Sequence, residues 1–435
     1  MKKIGILSTF SNLDPAYSLV TVVLQQLQML KRNGYQPILF GLTNFMDQDK
    51  VPEGVELRAV VPQWVLEPYG QTGSPVPDDF QANVDKTKEV FEKEFADLDC
   101  LITHDICFIN SYLIYNVALK QARLETLPML HQIHSAPSQR ANLSDPWNEL
   151  FGLPHPQNSK LIYMNYSEQV AAGEMYGIWP KDVKVVFNPM DLREMYNLSP
   201  LTRELIDAYG LFEADIICVY PVSSTRMGDD GKAVRKVISV MGYLKELGQK
   251  VKLIIPNAHA NAQREKETIE NFLQLAAQKN LDRTEVIFTS FYDLPKYEQG
   301  VSHQVVVELF QIANLFIFPS FSENAPLILL EAAATKNLLI LNEDFKPMID
   351  FLGPEGSFNF RFRSRLVNET QYGDDGEEGY FKDIAKIILS DLNSNRVMRA
   401  FTTVRKKFNY DWIAKNQFIP AIEGVINGRI PTERT

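Results

Sequence analysis

Cysteine is scarce in this 435-residue sequence, long hydrophobic runs are missing and basic residues are outnumbered. The three cysteines, Cys100, Cys107 and Cys218, are odd in number, fit no metal-ligand pattern and stand in apolar surroundings. They read as buried thiols, which suits a reducing compartment. No run approaches the roughly 18 apolar residues of a membrane span. The opening MKKIGILSTFSNLDP has two lysines but only a short apolar run before Ser8, and reads as a first strand rather than a signal peptide. The expectation is a cytoplasmic protein, at most peripheral to a membrane. With 44 basic against 54 acidic residues the net charge is −10. That balance argues against a general nucleic-acid or anionic-membrane surface and leaves only a local basic groove open.

What the chain does have is apolar content, 45% of it, enough for the cores of two domains. Apolar runs that read as strands alternate with amphipathic helical stretches in both halves. KIGILSTF, QPILFGL, DCLITHDI, PMLHQIHS, SKLIYM and VKVVFNP supply the first set, and ADIICVYPVSS, KVKLIIP, EVIFTSF and LFIF the second. That alternation predicts an α/β chain of two doubly wound, Rossmann-like domains facing an interdomain cleft. The boundary falls near Asp191 to Asn197, giving domains over 1–191 and 192–408 and a closing amphipathic helix over 409–435 that packs across the junction. Residues 50–79, rich in Pro and Gly, read as irregular.

The most informative stretch is Leu315 to Ile340, LFIFPSFSENAPLILLEAAATKNLLI. It reads as a strand ended by Pro319, a polar loop, a helix with Pro326 at its first position and Asn324 or Ser322 as cap, then another strand. Free backbone N–H groups near 323–327 would favour an anion or polar ligand. Glu331 is out of place in that helix, because its neighbours three and four residues away are Leu327, Ile328, Ala334 and Thr335. It needs a partner, either a structural Arg or a ligand.

Other strand ends deliver polar groups to the same edge: Ser11 and Asn12, His104 and Asp105, His131 and His134. His131 and His134 are three apart, so on a strand they face opposite sides, and only one can reach a crevice. His134, last in its run before Ser135-Ala136-Pro137, is the better candidate. Arg226 and Lys232 flank a glycine-containing loop after a strand, as a diphosphate clamp requires. The alternative for that pair is a solvated basic loop, since Arg235 and Lys236 add charge nearby. Arg361 to Arg365, RFRSR, is the one local candidate for touching a polyanion, although its alternation also suits an edge strand with its arginines in water.

Taken together, SENAPLILLEAAATKNLLIL, the Arg226 to Lys232 loop, the FNPMD segment, the strand-end His134 and a closing Trp-containing helix resemble the retaining GT-B glycosyltransferases of family 4, the glycosyl transferases group 1. In that signature a Glu, seven residues and a second Glu precede a small-residue run and a strand. The resemblance implies a UDP- or GDP-sugar donor held mainly by the second domain and a hydroxyl acceptor (glycan, lipid-linked or small molecule) at the first. It gives Glu331 the ribose hydroxyls, and Arg226 and Lys232 the diphosphate and its developing charge. Glu323 with the segment Asn324, Ala325, Pro326 and Leu327 would touch the sugar and distal phosphate, and His134 the sugar near the reacting carbon. His134, Glu323, Arg226 and Lys232 are thus the implied catalytic set, with Asn12 and His104 on the acceptor side. Neither cofactor nor metal enters that scheme. Two departures stand out: the loop SNLDPAY after the first strand lacks the family's glycines, and Asn324-Ala325 replaces a Gly and an aromatic.

Two other functions are weighed beside it. A bacteriophage-type enzyme glycosylating a hydroxymethylated DNA base would use RFRSR and the 50–79 loop as contacts. A non-catalytic nucleotide-sugar-binding protein would keep the site without turnover.

Overall fold

The computed structural model describes residues 1–64, 75–106, 112–135, 146–156, 158–175, 182–228, 232–257, 260, 262–290, 300–321, 323, 326–353, 355–362 and 376–428. Its contacts divide the chain into two units, Met1–Asp191 with Phe408–Thr435, and Leu192–Lys407.

In the first unit the apolar runs become seven parallel strands: β1 (Lys3–Leu7), β2 (Gln36–Leu42), β3 (Glu56–Val61), β4 (Cys100–His104), β5 (Met129–Gln132), β6 (Ser159–Tyr163) and β7 (Val183–Val185). Their order is β3-β2-β1-β4-β5-β6-β7. Because successive side chains point to opposite faces, each inner strand feeds two cores, which is why such runs are apolar throughout. Ile4 and Ile6 pack with helix Ser18–Arg32, while Leu7 packs with helix Phe80–Glu94. Gly5 between them is required: a Cβ there would stand 2.7 Å from Leu98 and 2.8 Å from Phe40.

In the second unit the strands are β8 (Ile216–Val219), β9 (Val251–Ile255), β10 (Val286–Phe288), β11 (Leu315–Phe318), β12 (Leu338–Asn342) and β13 (Phe358–Phe360). They pair in parallel in the order β10-β9-β8-β11-β12-β13. The expected pair of doubly wound, Rossmann-like domains is therefore present. Arg405 underpins the second unit from within. It is fully buried, and its guanidinium donates to the carbonyls of Ile312 at 2.7 Å, Ala214 at 2.9 Å and Asp215 at 3.1 Å.

Several local expectations need correction. Residues 50–79 are not wholly irregular, since β3 lies within them; an edge strand that is half-buried needs no continuous apolar run, so ELRAVV escapes an apolar-run criterion. A helix over Pro200–Tyr209 went unread despite its Ser199 cap, Pro200 in the first turn and left-handed Gly210 at its end. The central helix spans Leu327–Ala334 with Pro326 as its N-cap, one position earlier than expected, and its suggested caps Ser322 and Asn324 lie outside the described residues. The basic RFRSR segment begins just past the edge strand β13; Arg361 pairs with Glu343 at 3.7 Å, and residues 363–370 are outside the described set.

Residues 408–426 belong to the first unit. Met190 and Asn409 form a parallel bridge, with Met190 N–H on the Phe408 carbonyl at 2.8 Å. From there Ile413, Phe418 and Ile422 are buried beside Ile4 and Leu130. Glu423 accepts from Lys2 at 2.7 Å, and Gln417 Oε1 accepts from the Phe187 amide at 2.9 Å. Cys100 and Cys218 are buried free thiols; Cys107 is outside the described residues. Among the described residues no helix is long and apolar enough to cross a membrane.

Candidate functional site

In an open parallel sheet, ligands settle where strand order reverses, outside the carboxyl ends of the two strands involved. In the second sheet that point lies between β8 and β11. The loop after β8 carries Arg226 and Lys232, and the loop after β11 carries Glu323.

The fold brings Lys232 and Glu323 together as an ion pair, with side chains only 10% and 15% exposed. Glu323 Oε1 also accepts from Ser320 Oγ at 3.2 Å. Around this pair the backbone is held on both sides. Tyr220, buried at the end of β8, donates its hydroxyl to the Lys232 carbonyl at 2.6 Å, and burial drives that phenol's pKa up. Asn342 donates to the Ser320 carbonyl at 3.3 Å. Asn257, after β9, donates to Ser224 Oγ at 3.0 Å and to Ser290 Oγ, so it ties three strand-end loops together. Ala233, next to Lys232, sits at φ 51°, a left-handed conformation that costs a non-glycine residue about 1–2 kcal/mol and clusters at functional sites.

The neighbouring cations divide. Arg226 is exposed, with its amide on the Ser223 carbonyl at 3.0 Å. Lys236 is buried, pairs with Glu377 at 3.0 Å and lies 5.9 Å from the Phe321 ring centre. The uniformly solvated basic loop is not what forms: one cation is committed to Glu377 and another to Glu323.

Glu331 lies in helix Leu327–Ala334, with its side chain 18% exposed. Its Oε1 is 2.6 Å from Nε2 of His303, while its Oε2 is buried with no hydrogen-bond partner among the described residues. The awkward carboxylate thus has a partner on one oxygen and, among the described residues, none on the other. Leu327 at the head of the same helix is 69% exposed and Pro326 is buried; Asn324 and Ala325 lie outside the described residues.

In the first sheet the order reverses between β1 and β4. The end of β4 delivers His104, which is 2% exposed. His104 Nδ1 is 2.8 Å from His134 Nε2, and the two rings stack with centres 5.1 Å apart. Asp105, at φ 56°, accepts the His134 amide on Oδ1 at 2.8 Å. Burial holds His134 down to about 4 and His104 well below the ordinary histidine value, so both rings are neutral near pH 7. Burial also raises the Asp105 carboxyl, against two backbone N–H groups that lower it. His131 parts from His134, though not by alternation along one strand, since β5 ends at Gln132: His131 is buried, its Nδ1 lies 2.9 Å from Thr103 Oγ1, and its ring is 5.1 Å from that of His155. Asn12, after β1, is half-buried.

No family profile and no curated protein matches this chain. Solved structures do. A glycosyltransferase from Rickettsia africae ESF-5 aligns at 15% identity over 98% of both chains, with a TM-score of 0.36. Sucrose-phosphate synthase from Thermosynechococcus elongatus aligns at 16% identity over 95% of this chain and 97% of that one, with a TM-score of 0.33. Anabaena HepE in complex with UDP aligns at 14% over 95% and 98%, with a TM-score of 0.32. Likenesses at this level carry no argument about activity, which rests on the residues themselves.

Three contributors were not read from the sequence. His303 is one of two histidines after residue 191, and its place directly behind Ser302, a helix cap accepting from Val305 N–H at 3.4 Å, was the available signal. Asn257 and Ser320 follow apolar strands as single polar residues, a weaker one.

Proposed function

We propose that the chain is a glycosyltransferase that moves a sugar from a nucleoside-diphosphate sugar to a hydroxyl acceptor. The observation that carries this reading is the Lys232–Glu323 pair at the switch point of the second sheet, together with the buried Oε2 of Glu331, without a partner among the described residues, on the helix that starts there. A buried acceptor without a donor costs free energy that a bound hydroxyl would recover, about 1–3 kcal/mol for a neutral group and more for a charged one.

In this reading Glu331 accepts from the ribose, and Lys232 with Arg226 neutralises the diphosphate. Charge builds on that diphosphate as the bond from its oxygen to the anomeric carbon breaks, so fixed cations there stabilise the transition state more than the ground state. Glu323 holds Lys232 in place before the donor arrives, and with the segment from Asn324 to Leu327 meets the donor sugar. His134 gives a hydrogen bond to the sugar through Nδ1, the ring nitrogen that His104 leaves unused. We assign a retaining, metal-independent course: the acceptor oxygen bonds to the anomeric carbon on the face the diphosphate leaves, and the acceptor's proton passes to a leaving phosphate oxygen. UDP- or GDP-sugars are the donors favoured, with a glycan, lipid-linked or small-molecule hydroxyl as acceptor.

A thermal-shift screen against UDP, GDP and their sugars tests the first step. A ligand at 100 times its Kd stabilises the fold by about 2.7 kcal/mol. Selective stabilisation followed by release of free nucleoside diphosphate supports the enzyme, and the anomeric configuration of the product, read by NMR in the presence of EDTA, tests the course. Tight binding with no release by any donor would leave a binding protein; no binding at all would end the proposal.

A further inference from the structure

Glu331 is held in an unusual way for a ligand-binding carboxylate. Its Oε1 is occupied by a ring nitrogen of His303 at 2.6 Å, and its Oε2 is buried and, among the described residues, unpartnered. An ionised carboxylate has only acceptors, so the hydrogen on this contact comes from His303 Nε2. The ring itself is 74% exposed. What anchors it is its position at the head of helix His303–Ile312, capped by Ser302, with that helix packed beside Leu327–Ala334.

A free glutamate carboxylate turns about its last bond and presents either oxygen. With one oxygen tied to His303, Glu331 presents only the other. We propose, on the basis of the function assigned above, that His303 is a positioning residue for nucleotide recognition: it orients Glu331 so that one oxygen alone meets a ribose hydroxyl of a nucleoside diphosphate. The contact therefore sets how strongly the site separates ribonucleotides from deoxyribonucleotides, since only a carboxylate fixed in one orientation is left unpaired when the hydroxyl is missing. An exposed pair that served the fold alone would change stability by at most about 1 kcal/mol and would leave sugar discrimination untouched.

The test is isothermal titration of the full chain with UDP and GDP, and with their 2′-deoxy and 3′-deoxy forms, for wild type, His303→Ala, His303→Gln and Glu331→Ala. In wild type, loss of the recognised hydroxyl weakens binding on the order of tenfold to a hundredfold. His303→Ala shrinks that ratio at least about threefold, whereas His303→Gln, whose amide can donate to the same oxygen, restores it. Glu331→Ala abolishes it. Unchanged discrimination in His303→Ala, with discrimination lost in Glu331→Ala, overturns the role of His303 and leaves the nucleotide site standing. Equal discrimination in Glu331→Ala and wild type, or no binding by wild type, overturns the site and the inference with it. Melting temperatures of the four proteins confirm that each compared chain is folded.

Discussion

The Lys232–Glu323 pair allows the sharpest test on the ligand-free protein. Replacing Lys232 by Met keeps most of the side chain's length and removes its charge. Glu323 would then stand at 15% exposure with Ser320 Oγ as its one other donor among the described residues. At an effective dielectric constant of about 20, two unit charges at ~4 Å attract by about 4 kcal/mol. Desolvation and side-chain ordering offset part of this, and cycles within one ion-pair network return about 0.5–3 kcal/mol. We expect Lys232→Met alone to cost about 3 kcal/mol, because it leaves a largely desolvated carboxylate. Glu323→Gln in the same background should recover about 2 kcal/mol of it. Urea unfolding of wild type, both single variants and the double variant measures the coupling directly, and calorimetry should show the Lys232→Met chain melting roughly 6–12 °C lower. A coupling below about 0.5 kcal/mol would mean that the pair is incidental, and the proposal that Glu323 holds Lys232 ready for a diphosphate would fall with it.

Two further outcomes follow from groups away from that pair. Burial depresses His104, His131, His134 and His155, the last two to about 4 and about 3, so the unfolded chain binds more protons than the folded one once the pH drops below the usual 6.5. Stability should be full above pH 6.5 and fall as the pH is lowered toward 4, by up to about 1.4 kcal/mol per pH unit for each histidine; a calorimetric series that is flat from pH 7.5 to 5.5 would contradict this. Arg405→Met takes the guanidinium from the buried carbonyls of Ile312 and Ala214, while the Asp215 carbonyl keeps the Asn314 amide at 2.9 Å, and should destabilise the second unit by about 3 kcal/mol or more, seen as a lower urea midpoint at unchanged slope. Arg405→Lys should recover little, since a single ammonium lacks the planar fork that reaches all three.

The strands of both units could be read because a doubly covered parallel strand must be apolar on both faces, and LFIF, VKLII and CLITH have nowhere else to go. The switch-point residues could be read for a related reason: His104 ends such a run, and Lys232 and Glu323 lie in the loops that follow two others, at the carboxyl edge of the sheet. What could not be read is which of them meet. His303 and Glu331 lie 28 residues apart on separate helices, and His104 and His134 lie 30 apart on adjacent strand ends. Those meetings depend on strand order, which periodicity does not encode. Local rules also stopped short at β3, where an edge position lets polar residues alternate into a strand, and at the first turn of Leu327–Ala334, where the proline's fixed φ serves a cap as well as a first helical residue.

The return of residues 408–426 to the first unit makes Leu192–Lys407 an insertion in the covalent order of the chain. During synthesis, Ile4, Leu130 and their neighbours emerge early, but Ile413, Phe418 and Ile422, which cover them, leave the ribosome only after the entire second unit. The first domain to be started is the last to be finished, and its uncovered face has to wait through the folding of the other. Since Met190 and Asn409 already lie side by side, the same arrangement means that the second unit could be cut out and the ends rejoined by a short linker without asking the first to reorganise.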